Sequence, residues 1–268
     1  MVREPAVAGK FYSADPQALR ADVHSYLSPG TEEKSAAIGC IAPHAGYMYS
    51  GRVAGAVFSA IGIPSRCIVL CPNHTGRGHP LAVMSEGKWR TPLGEVALDS
   101  SLAKVLVKSF AALAEDADAH RLEHAIEVEL PFLQTLRPDV QIVPIAVGTT
   151  RLLLLEHLGR AVAEAVQSTP GPVLIVASSD MNHYEDDDTT RIKDHKAIKR
   201  ILGLDPQGLY ETVMNESISM CGFGPAVAML VAAKQLGATE ARLVHYATSA
   251  ETSGDKEMCV GYAGIVVR

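Results

Sequence analysis

The sequence predicts an α/β fold with a mostly parallel, largely buried central sheet flanked by helices. Continuous apolar runs rich in Val, Ile and Leu are typical of strands that are covered on both faces. Segments with helical periodicity lie between these runs, which favours a layered arrangement. The 268 residues contain no linker, low-complexity tract or repeat at a fixed period, so we predict a single domain over residues 1–268.

Six apolar runs are predicted to be buried strands: Ala37–Ile41, Arg66–Cys71, Gln141–Val147, Val173–Ala177, Ala241–Tyr246 and Val260–Val267. Two short strands joined by a turn are expected within Gly87–Leu98, because Pro92 and Gly94 are turn-forming residues. Ligands of open α/β sheets bind beyond the carboxyl ends of the strands. Polar residues that directly follow the apolar runs are therefore the first candidates for a functional site.

Capping residues indicate where the helices begin. Asp15 can cap a helix that starts at Pro16, and Ser50 can cap a second helix that Gly62 ends. Asp99 precedes a third helix with one apolar face. The remaining predicted helices are Leu152–Val166, Thr189–Leu202 and one with Pro225 in its first turn that runs to Leu236, with Gly237 just beyond it.

Composition excludes several classes of function. The net charge is −6 and no block of Lys and Arg stands out, so nucleic acid is not an expected partner. No apolar run approaches the roughly 18 residues of a membrane span, and the first residues lack the apolar core of a signal peptide, so we expect a cytoplasmic protein. Five cysteines, an odd and low number, argue against a disulfide framework, and Cys67 and Cys71 are predicted to be small core residues.

Two histidines are presented in the same way. In "CIAPHAG" and "CIVLCPNHTG" an apolar run stops, a proline follows, and His44 or His74 precedes a small residue and a glycine. Neutral imidazole is the commonest protein ligand of transition metals. We therefore predict that His44 and His74 share one site; the alternative is that each is a polar residue satisfied by nearby backbone.

The segment "VLIVASSDMNHY" places Asp180 and His183 just after an apolar strand. In a helical turn, residues three apart lie on the same side. A carboxylate there can orient the imidazole or join it in proton transfer. The alternative is that Asp180 caps a turn and His183 is a surface residue.

The segment "SMCGFGPAVAML" places Cys221 just before a glycine-rich helix start. A helix N-terminus stabilises negative charge, so the thiolate form of Cys221 is expected to be favoured. Cys221 is thus the best ligand or nucleophile among the cysteines, unless it is a small buried residue in a tight loop.

The segment "RLEHAIEVELPFL" has the charged flanks of a helix start. His124 and Glu127 lie three residues apart and can meet, and Glu123 and Glu129 complete the group. The alternative is a solvated helix face without a role in chemistry. No GxGxxG, GxxxxGK[ST] or GxSxG motif is present, so dinucleotide, P-loop and nucleophile-elbow chemistry have no support.

Several of these segments, taken in order, resemble the Memo family, and the resemblance runs nearly end to end. The matching segments are "REPAVAGKFY", "APHAGYMYSG", "PNHTG", "WRTPLGE", "EHAIEVELPFL", "SSDMNHY" and "MCGFGP". This resemblance implies a fold like that of the class III extradiol dioxygenases, which are non-haem iron enzymes. Members of the family are implicated in binding iron or copper and in redox chemistry, and the animal member has been linked to phosphopeptides.

By this resemblance, His44, His74 and Cys221 are the metal-binding positions. Asp180 and His183 line the same pocket, with His183 at the position of the dioxygenases' acid/base histidine. The dioxygenases hold Fe(II) with two histidines and a carboxylate, whereas the third position here is Cys221. A thiolate is softer and favours copper(I), zinc or a different iron chemistry, which argues against catechol cleavage.

Three functional hypotheses follow. The first is an iron- or copper-dependent oxidoreductase in which Asp180 steers His183 as it moves a proton. The second is a non-catalytic module that holds a metal, a small molecule or a peptide. The third and weaker hypothesis is a zinc-dependent hydrolase with three protein ligands and a water. Residue types alone do not distinguish these metals, and no motif identifies a substrate or an oligomeric state.

Overall fold

The computed structural model describes residues 1–27 and 35–268. The helices are α1 (Pro16–Tyr26), α2 (Tyr47–Ser59), α3 (Ser100–Ser109), α4 (Asp118–Arg121), α5 (Ala125–Leu136), α6 (Leu152–Gln167), α7 (Asp187–Leu202), α8 (Pro206–Asn215), α9 (Phe223–Gln235) and α10 (Ala250–Ser253). The strands are β1 (Val2–Arg3), β2 (Gly39–Ala42), β3 (Arg66–Pro72), β4 (Leu81–Val83), β5 (Lys88–Thr91), β6 (Gly94–Leu98), β7 (Ala114–Glu115), β8 (Gln141–Val147), β9 (Leu174–Ser178), β10 (His183–Glu185), β11 (Ala241–Thr248) and β12 (Cys259–Val267).

These strands form one sheet with the order β1-β5-β6-β8-β3-β9-β2-β12-β10, and β11 pairs with β12 while β4 pairs with β7 and β8. The neighbours β8, β3, β9 and β2 are parallel, as predicted for the centre of an α/β fold. The sheet as a whole is mixed, because β12 runs antiparallel to β2, β10 and β11. The short connection between β11 and β12 does not provide the dozen or more residues that a parallel crossover needs.

Both faces of the sheet are buried, which explains the continuous apolar runs. Ile41, Ile68 and Leu70 belong to a core layer that includes α3, α6 and α9. Their neighbours Cys40 and Val69 belong to the opposite layer, which includes α1, α2 and α5. Side chains alternate along a strand, so a run covered on both sides has no polar positions.

The predicted helix starts are confirmed at Asp15 and Asp99, whose side chains accept hydrogen bonds from the first turns of α1 and α3. The prediction for Ser50 is wrong, because α2 already begins at Tyr47. The backbone N–H of Ser50 donates to the Gly46 carbonyl at 3.2 Å, so Ser50 lies within the first turn. Its hydroxyl donates to the carbonyl of Ala45 at 2.8 Å and does not cap the N–H groups of the helix.

Cys67 and Cys71 are fully buried on β3, as predicted, and every cysteine is a free thiol. The pair of short strands expected around Pro92 is also confirmed as the antiparallel hairpin β5–β6. Among the described residues, no helix combines the length and the apolar character needed to cross a bilayer.

Candidate functional site

Three parallel strands deliver polar residues to one edge of the sheet. β9 lies between β3 and β2, and all three run in the same direction. His44 is the second residue after β2, His74 the second after β3 and Asp180 the second after β9. The repeated pattern of an apolar run followed by a polar residue therefore marks the carboxyl ends of adjacent strands, where ligands of α/β sheets bind.

His44, His74 and Cys221 converge at this edge. Each offers one potential ligand atom, and the three atoms lie within 4.8 Å of one another. The Sγ atom of Cys221 is 3.4 Å from Nε2 of His44, and the two imidazole rings have centroids 5.2 Å apart. The sequence prediction that these distant segments meet at one point agrees with this geometry.

Cys221 reaches the histidines because the backbone beside it packs tightly against the end of β9. A Cβ atom at Gly222 would collide with the carbonyl oxygen of Ser178, so this position needs glycine. The N–H of Gly222 donates to the hydroxyl of Ser179 at 3.0 Å. The N–H of Asp180 donates to Sγ of Cys221 at 3.3 Å and fixes the thiol between the loops that follow β2 and β9.

Glu123 orients His74. One carboxylate oxygen accepts from the backbone N–H of His74 at 2.6 Å, and the other lies 2.8 Å from Nδ1 of the ring. Burial acts to raise the pKa of Glu123, but the hydrogen bond from His74 lowers it to about 2. The ionised carboxylate occupies Nδ1, so Nε2 is the nitrogen of His74 that remains available to a metal.

Ser178 orients His44, which is buried. Nδ1 of His44 is 2.8 Å from the Ser178 hydroxyl, and that hydroxyl donates its hydrogen to the carbonyl of Ala125 at 3.2 Å. Since a hydroxyl has one hydrogen, Nδ1 of His44 must carry the proton of this contact. Nε2 then presents a lone pair toward Cys221.

His124 also belongs to the site, although sequence reasoning did not include it among the ligands. Its ring stacks on His74 with centroids 4.7 Å apart and lies 5.5 Å from the ring of His44. His74, Glu123 and His124 form a second group whose ligand atoms lie within 4.8 Å. The hypothesis that His124 pairs with Glu127 finds no hydrogen bond among the described residues, and the nearest carboxylate contact of its Nδ1 is Glu123 at 3.6 Å.

The interpretation of this segment as a solvated helix face is wrong. Glu123, Glu127 and Glu129 are all fully buried. The signal was available in the sequence, because the acids alternate with Ala, Ile, Val and Leu and a helix that is apolar on every side is a buried one. Isolated acids within such a segment predict specific partners or a function.

Asp180 and His183 do not share a helical turn, because residues 179–182 form a loop and His183 begins β10. Oδ1 of Asp180 accepts from the backbone N–H of His44 at 2.8 Å, so this carboxyl group supports the ligand cluster. Nδ1 of His183 lies 3.0 Å from the carbonyl of Ser219. A carbonyl only accepts, so Nδ1 of His183 carries the hydrogen of this contact.

The site favours neutral groups at its buried end. Burial lowers the pKa of His44 well below its usual range, and the neighbouring His74 and His124 add to the effect. Burial also raises the pKa of the Cys221 thiol, and the charge of Asp180 raises it further. The expectation that the helix N-terminus favours the thiolate is therefore wrong, since desolvation outweighs the dipole of α9.

These residues fit a metal ion. Zinc-type bonds of about 2.0 Å to nitrogen and about 2.3 Å to sulfur, at a tetrahedral angle, place the two ligand atoms about 3.5 Å apart. The observed separation between His44 Nε2 and Cys221 Sγ is 3.4 Å. Both histidines are held through Nδ1 by a second residue, as metal-binding histidines usually are.

Known proteins are similar to this chain over nearly its whole length. The profile of the Memo-like protein family matches residues 3–266. A MEMO1 family protein of Methanopyrus kandleri is 42% identical over 281 residues, covering 100% of this chain and 99% of that protein. A second, from Methanothermobacter thermautotrophicus, is 40% identical over 274 residues, covering 98% of this chain and 99% of its own.

A solved structure shares the fold. An uncharacterized protein of Escherichia coli K12 superposes with a TM-score of 0.57 at 13% identity, covering 83% of this chain and 98% of its own. At this identity the likeness concerns the fold alone. The family profile and the full-length relatives together show that this chain belongs to the Memo-like protein family.

Proposed function

We propose that this protein binds iron or copper through His44, His74 and Cys221 and uses it in redox or oxygen-dependent chemistry on a small-molecule or peptide ligand. The observation that carries the proposal is the 3.4 Å approach of Cys221 Sγ to Nε2 of His44, with His74 alongside. Nδ1 of each imidazole already has a hydrogen-bond partner, so Nε2 of His44, Nε2 of His74 and Sγ of Cys221 remain to hold a cation.

The donor set selects among metals. Imidazole suits iron, copper and zinc, and a thiolate adds a preference for copper(I), zinc and iron. A bound iron or copper supplies one-electron and oxygen chemistry that protein side chains lack. Because burial keeps the Cys221 thiol protonated, binding a cation there must release a proton, and metal affinity is expected to rise with pH.

His183 and Asp180 are the proposed proton-handling groups. His183 is half-buried and Nδ1 of its ring donates to the carbonyl of Ser219, which leaves Nε2 as the nitrogen that can exchange a proton. Burial raises the pKa of Asp180, while the charge of His183 and the N–H of His44 oppose this. Asp180 in turn holds the loop that carries His44.

Metal binding is tested by competition with a chromophoric copper(I) chelator under anaerobic conditions, and in parallel with Fe(II). His44→Ala and Cys221→Ser should each weaken binding by more than about 100-fold, beyond the usual cost of losing an outer partner. His79→Ala is the matched control, because His79 is exposed and its backbone, not its ring, makes the contact with Asp116. Unchanged affinity in both ligand variants would overturn the proposal.

Turnover is tested separately on protein that has been loaded with iron or copper. Oxygen consumption with ascorbate or a thiol as reductant, lost in Cys221→Ser, supports an oxidoreductase. Tight metal binding without oxygen consumption favours the alternative of a binding module. Hydrolysis of an activated ester by the zinc-loaded protein alone would favour the zinc-dependent hydrolase, in which His183 is the base.

A further inference from the structure

Two segments meet beside the candidate site, residues 179–183 after β9 and residues 216–222 before α9. The first contains Asn182 and His183, and the second contains Ser219 and Cys221. Within the described part of the chain, no backbone N–H of either segment donates to a backbone carbonyl of the other. Hydrogen bonds that use a side chain therefore set the position of one segment relative to the other.

Asn182 holds Ser219. It is fully buried, and its Oδ1 accepts from both the backbone N–H and the hydroxyl of Ser219, each at 3.1 Å. Its Nδ2 donates at 2.6 Å to Oε2 of Glu185, which also pairs with Lys193 at 2.7 Å. A backbone N–H only donates and a carboxylate only accepts, so the two contacts fix the same orientation of the amide.

Ser219 in turn holds His183 at two points. The hydroxyl of Ser219 accepts from the backbone N–H of His183 at 2.7 Å, and its carbonyl lies 3.0 Å from Nδ1 of the ring. The first contact fixes the backbone of His183, and the second fixes the orientation of its imidazole. The placement of this imidazole therefore depends on the placement of Ser219.

Cys221 lies two residues beyond Ser219 in the same segment. Its Sγ accepts from the N–H of Asp180 at 3.3 Å, and Asp180 precedes Asn182 by two residues. The two segments thus lie side by side over a length that includes both functional side chains. A displacement of Ser219 changes the position of His183 directly and that of Cys221 through the chain.

Asn182 is itself fixed to regular elements of the fold. Its backbone N–H donates to Oδ1 of Asp194 on α7 at 2.8 Å, and its carbonyl accepts from the N–H of Gly261 on β12 at 2.9 Å. Every polar group of Asn182 is therefore bonded. A buried polar network that is fully satisfied is rigid and specifies one arrangement.

We propose that Asn182 is a positioning residue: through Ser219 it fixes the imidazole of His183 and the sulfur of Cys221 relative to each other. An amide serves here because the residue must accept from Ser219 and donate to Glu185 at the same time. The placement of the two groups does not need a metal, whereas its importance for proton transfer beside a bound metal rests on the proposed function.

The orientation of His183 is measured in the metal-free protein. Nitrogen–proton correlation spectra of protein labelled with ¹⁵N-histidine, recorded at alkaline pH where imidazole is neutral, distinguish Nδ1–H from Nε2–H. His183→Gln identifies the His183 signals. Wild type should show Nδ1–H alone, because this hydrogen is bonded to the carbonyl of Ser219. Asn182→Leu should show a mixture of tautomers, with the signals of the buried His120 unchanged as evidence of folding.

A double variant tests the hydrogen bonds themselves. In Asn182→Asp combined with Glu185→Gln, the new carboxylate accepts from Ser219 and also from the new amide, so both partners are kept and one bond is reversed. This double variant should restore the Nδ1–H form of His183. Asn215→Leu, at the exposed end of α8, is the matched control and should match wild type. Asn182→Ala replaces the leucine variant if that variant does not fold.

The position of Cys221 is followed by its reaction with a chromogenic disulfide reagent. The other four cysteines are buried, so Cys221 provides the fast phase, which Cys221→Ser removes. Asn182→Leu should speed this phase, and the double variant should return it to the wild-type rate. Asn182→Leu should also weaken copper(I) binding about tenfold, the lower end of the cost of losing an outer partner.

Three outcomes overturn the proposal. The first is Asn182→Leu that keeps His183 wholly in the Nδ1–H form, and the second is a wild-type rate of Cys221 modification in that variant. The third is a double variant that behaves like Asn182→Leu, which would show that the amide does not act through these hydrogen bonds. A wild-type protein that binds neither copper nor iron would overturn the proposed function, and the two metal-free measurements would still decide the role of Asn182.

Discussion

Glu127 and Glu129 lie two residues apart on α5 and are equally buried, yet they support two different regions of the molecule. Glu127 holds the N-terminal segment, defined here as residues 3–12, against the helix. Glu129 lies behind the candidate site of His44, His74 and Cys221. The comparison shows what a buried acid does when its charge is compensated and when it is not.

The N-terminal segment compensates Glu127 completely. The carboxylate pairs with Nη1 of Arg3 and accepts from the N–H groups of Ala6 at 2.8 Å and Val7 at 3.0 Å and from the hydroxyl of Tyr12 at 2.6 Å. The ion pair and the hydrogen bonds together offset the free-energy cost of burying the ionised Glu127 carboxylate. These contacts between residues 3–12 and Glu127 are called the clamp below, because they join the N-terminal segment to α5.

The candidate site leaves its acids less completely paired. Glu123 binds one imidazole, and Glu129 has no hydrogen bond within the described ranges 1–27 and 35–268. Glu123 acts directly on a ring nitrogen of His74. The difference indicates that the clamp is built for stability and the site for control of protonation and orientation.

The largest predicted effect is the loss of the clamp. Arg3→Met leaves Glu127 buried without its cation and should lower the free energy of unfolding by about 3–5 kcal/mol, measured by urea denaturation. Arg90→Met is the control, because Arg90 pairs with Glu4 and Glu95 on the surface, where water screens such pairs and they add little to stability. Equal, small losses in the two variants would contradict the comparison.

Asp194 extends the comparison to a third buried acid, on the far side of the His183 loop. Its oxygens accept from the N–H of Asn182 and from the hydroxyl of Tyr246, each at 2.8 Å, and it has no cation bonded to it in the described part of the chain. Burial raises its pKa from 3.8 to about 7, against the opposing effect of the Asn182 hydrogen bond. The folded protein therefore keeps a proton here that the unfolded chain releases.

This shift predicts a dependence of stability on pH. Between about pH 4 and pH 7 the unfolded chain binds fewer protons at this residue, so the free energy of unfolding falls as pH rises, by at most about 1.4 kcal/mol per pH unit. Asp194→Asn, which resembles the neutral acid, should remove this component. Urea denaturation of wild type and Asp194→Asn across this pH range gives the free energy of unfolding at each pH. Parallel plots of that free energy against pH would contradict the prediction. Asp139→Asn, at an exposed position, is the control and should keep the wild-type pH dependence.

Within the site, Glu123→Gln tests whether charge matters to the orientation of His74. The amide cannot accept from both the backbone and the ring of His74 as the carboxylate does. Copper(I) affinity should fall by about 10- to 100-fold, the cost of losing an outer partner. Glu95→Gln, on the surface hairpin, is the control and should leave copper(I) affinity unchanged. If Glu123→Gln had the same affinity as Glu95→Gln, the Glu123 carboxylate would not support metal binding.

Much of this architecture could be predicted from local pattern. Apolar runs identified the central strands, and polar residues just after them identified His44, His74 and Asp180, since the direction of neighbouring parallel strands is set by the fold class. Cys221 was found because it precedes a helix start. All of these are signals within a few residues along the chain.

The features that the sequence did not predict depend on contacts between distant segments. The burial of Glu129 follows from packing of α5 against α1, α2 and β3, which are distant in sequence, so no local pattern encodes it fully. The raised pKa of Cys221 likewise follows from desolvation by loops that are far apart in sequence. Ser50 lies in a turn that could start a helix at several positions, and the start at Tyr47 is held by its N–H, which donates to the carbonyl of Phe11 at 2.8 Å.

The smallest expected effect concerns His183. It is not among the residues whose ligand atoms gather within 4.8 Å, and its Nδ1 is held by Ser219 on the outer side of the loop. His183→Gln should therefore change copper(I) affinity by less than about twofold, whereas loss of a true ligand exceeds the roughly 100-fold cost of an outer partner. His74→Gln in the same titration provides that contrast. If His183→Gln lost as much copper(I) affinity as His74→Gln, His183 would be a metal ligand and not a proton-transfer group.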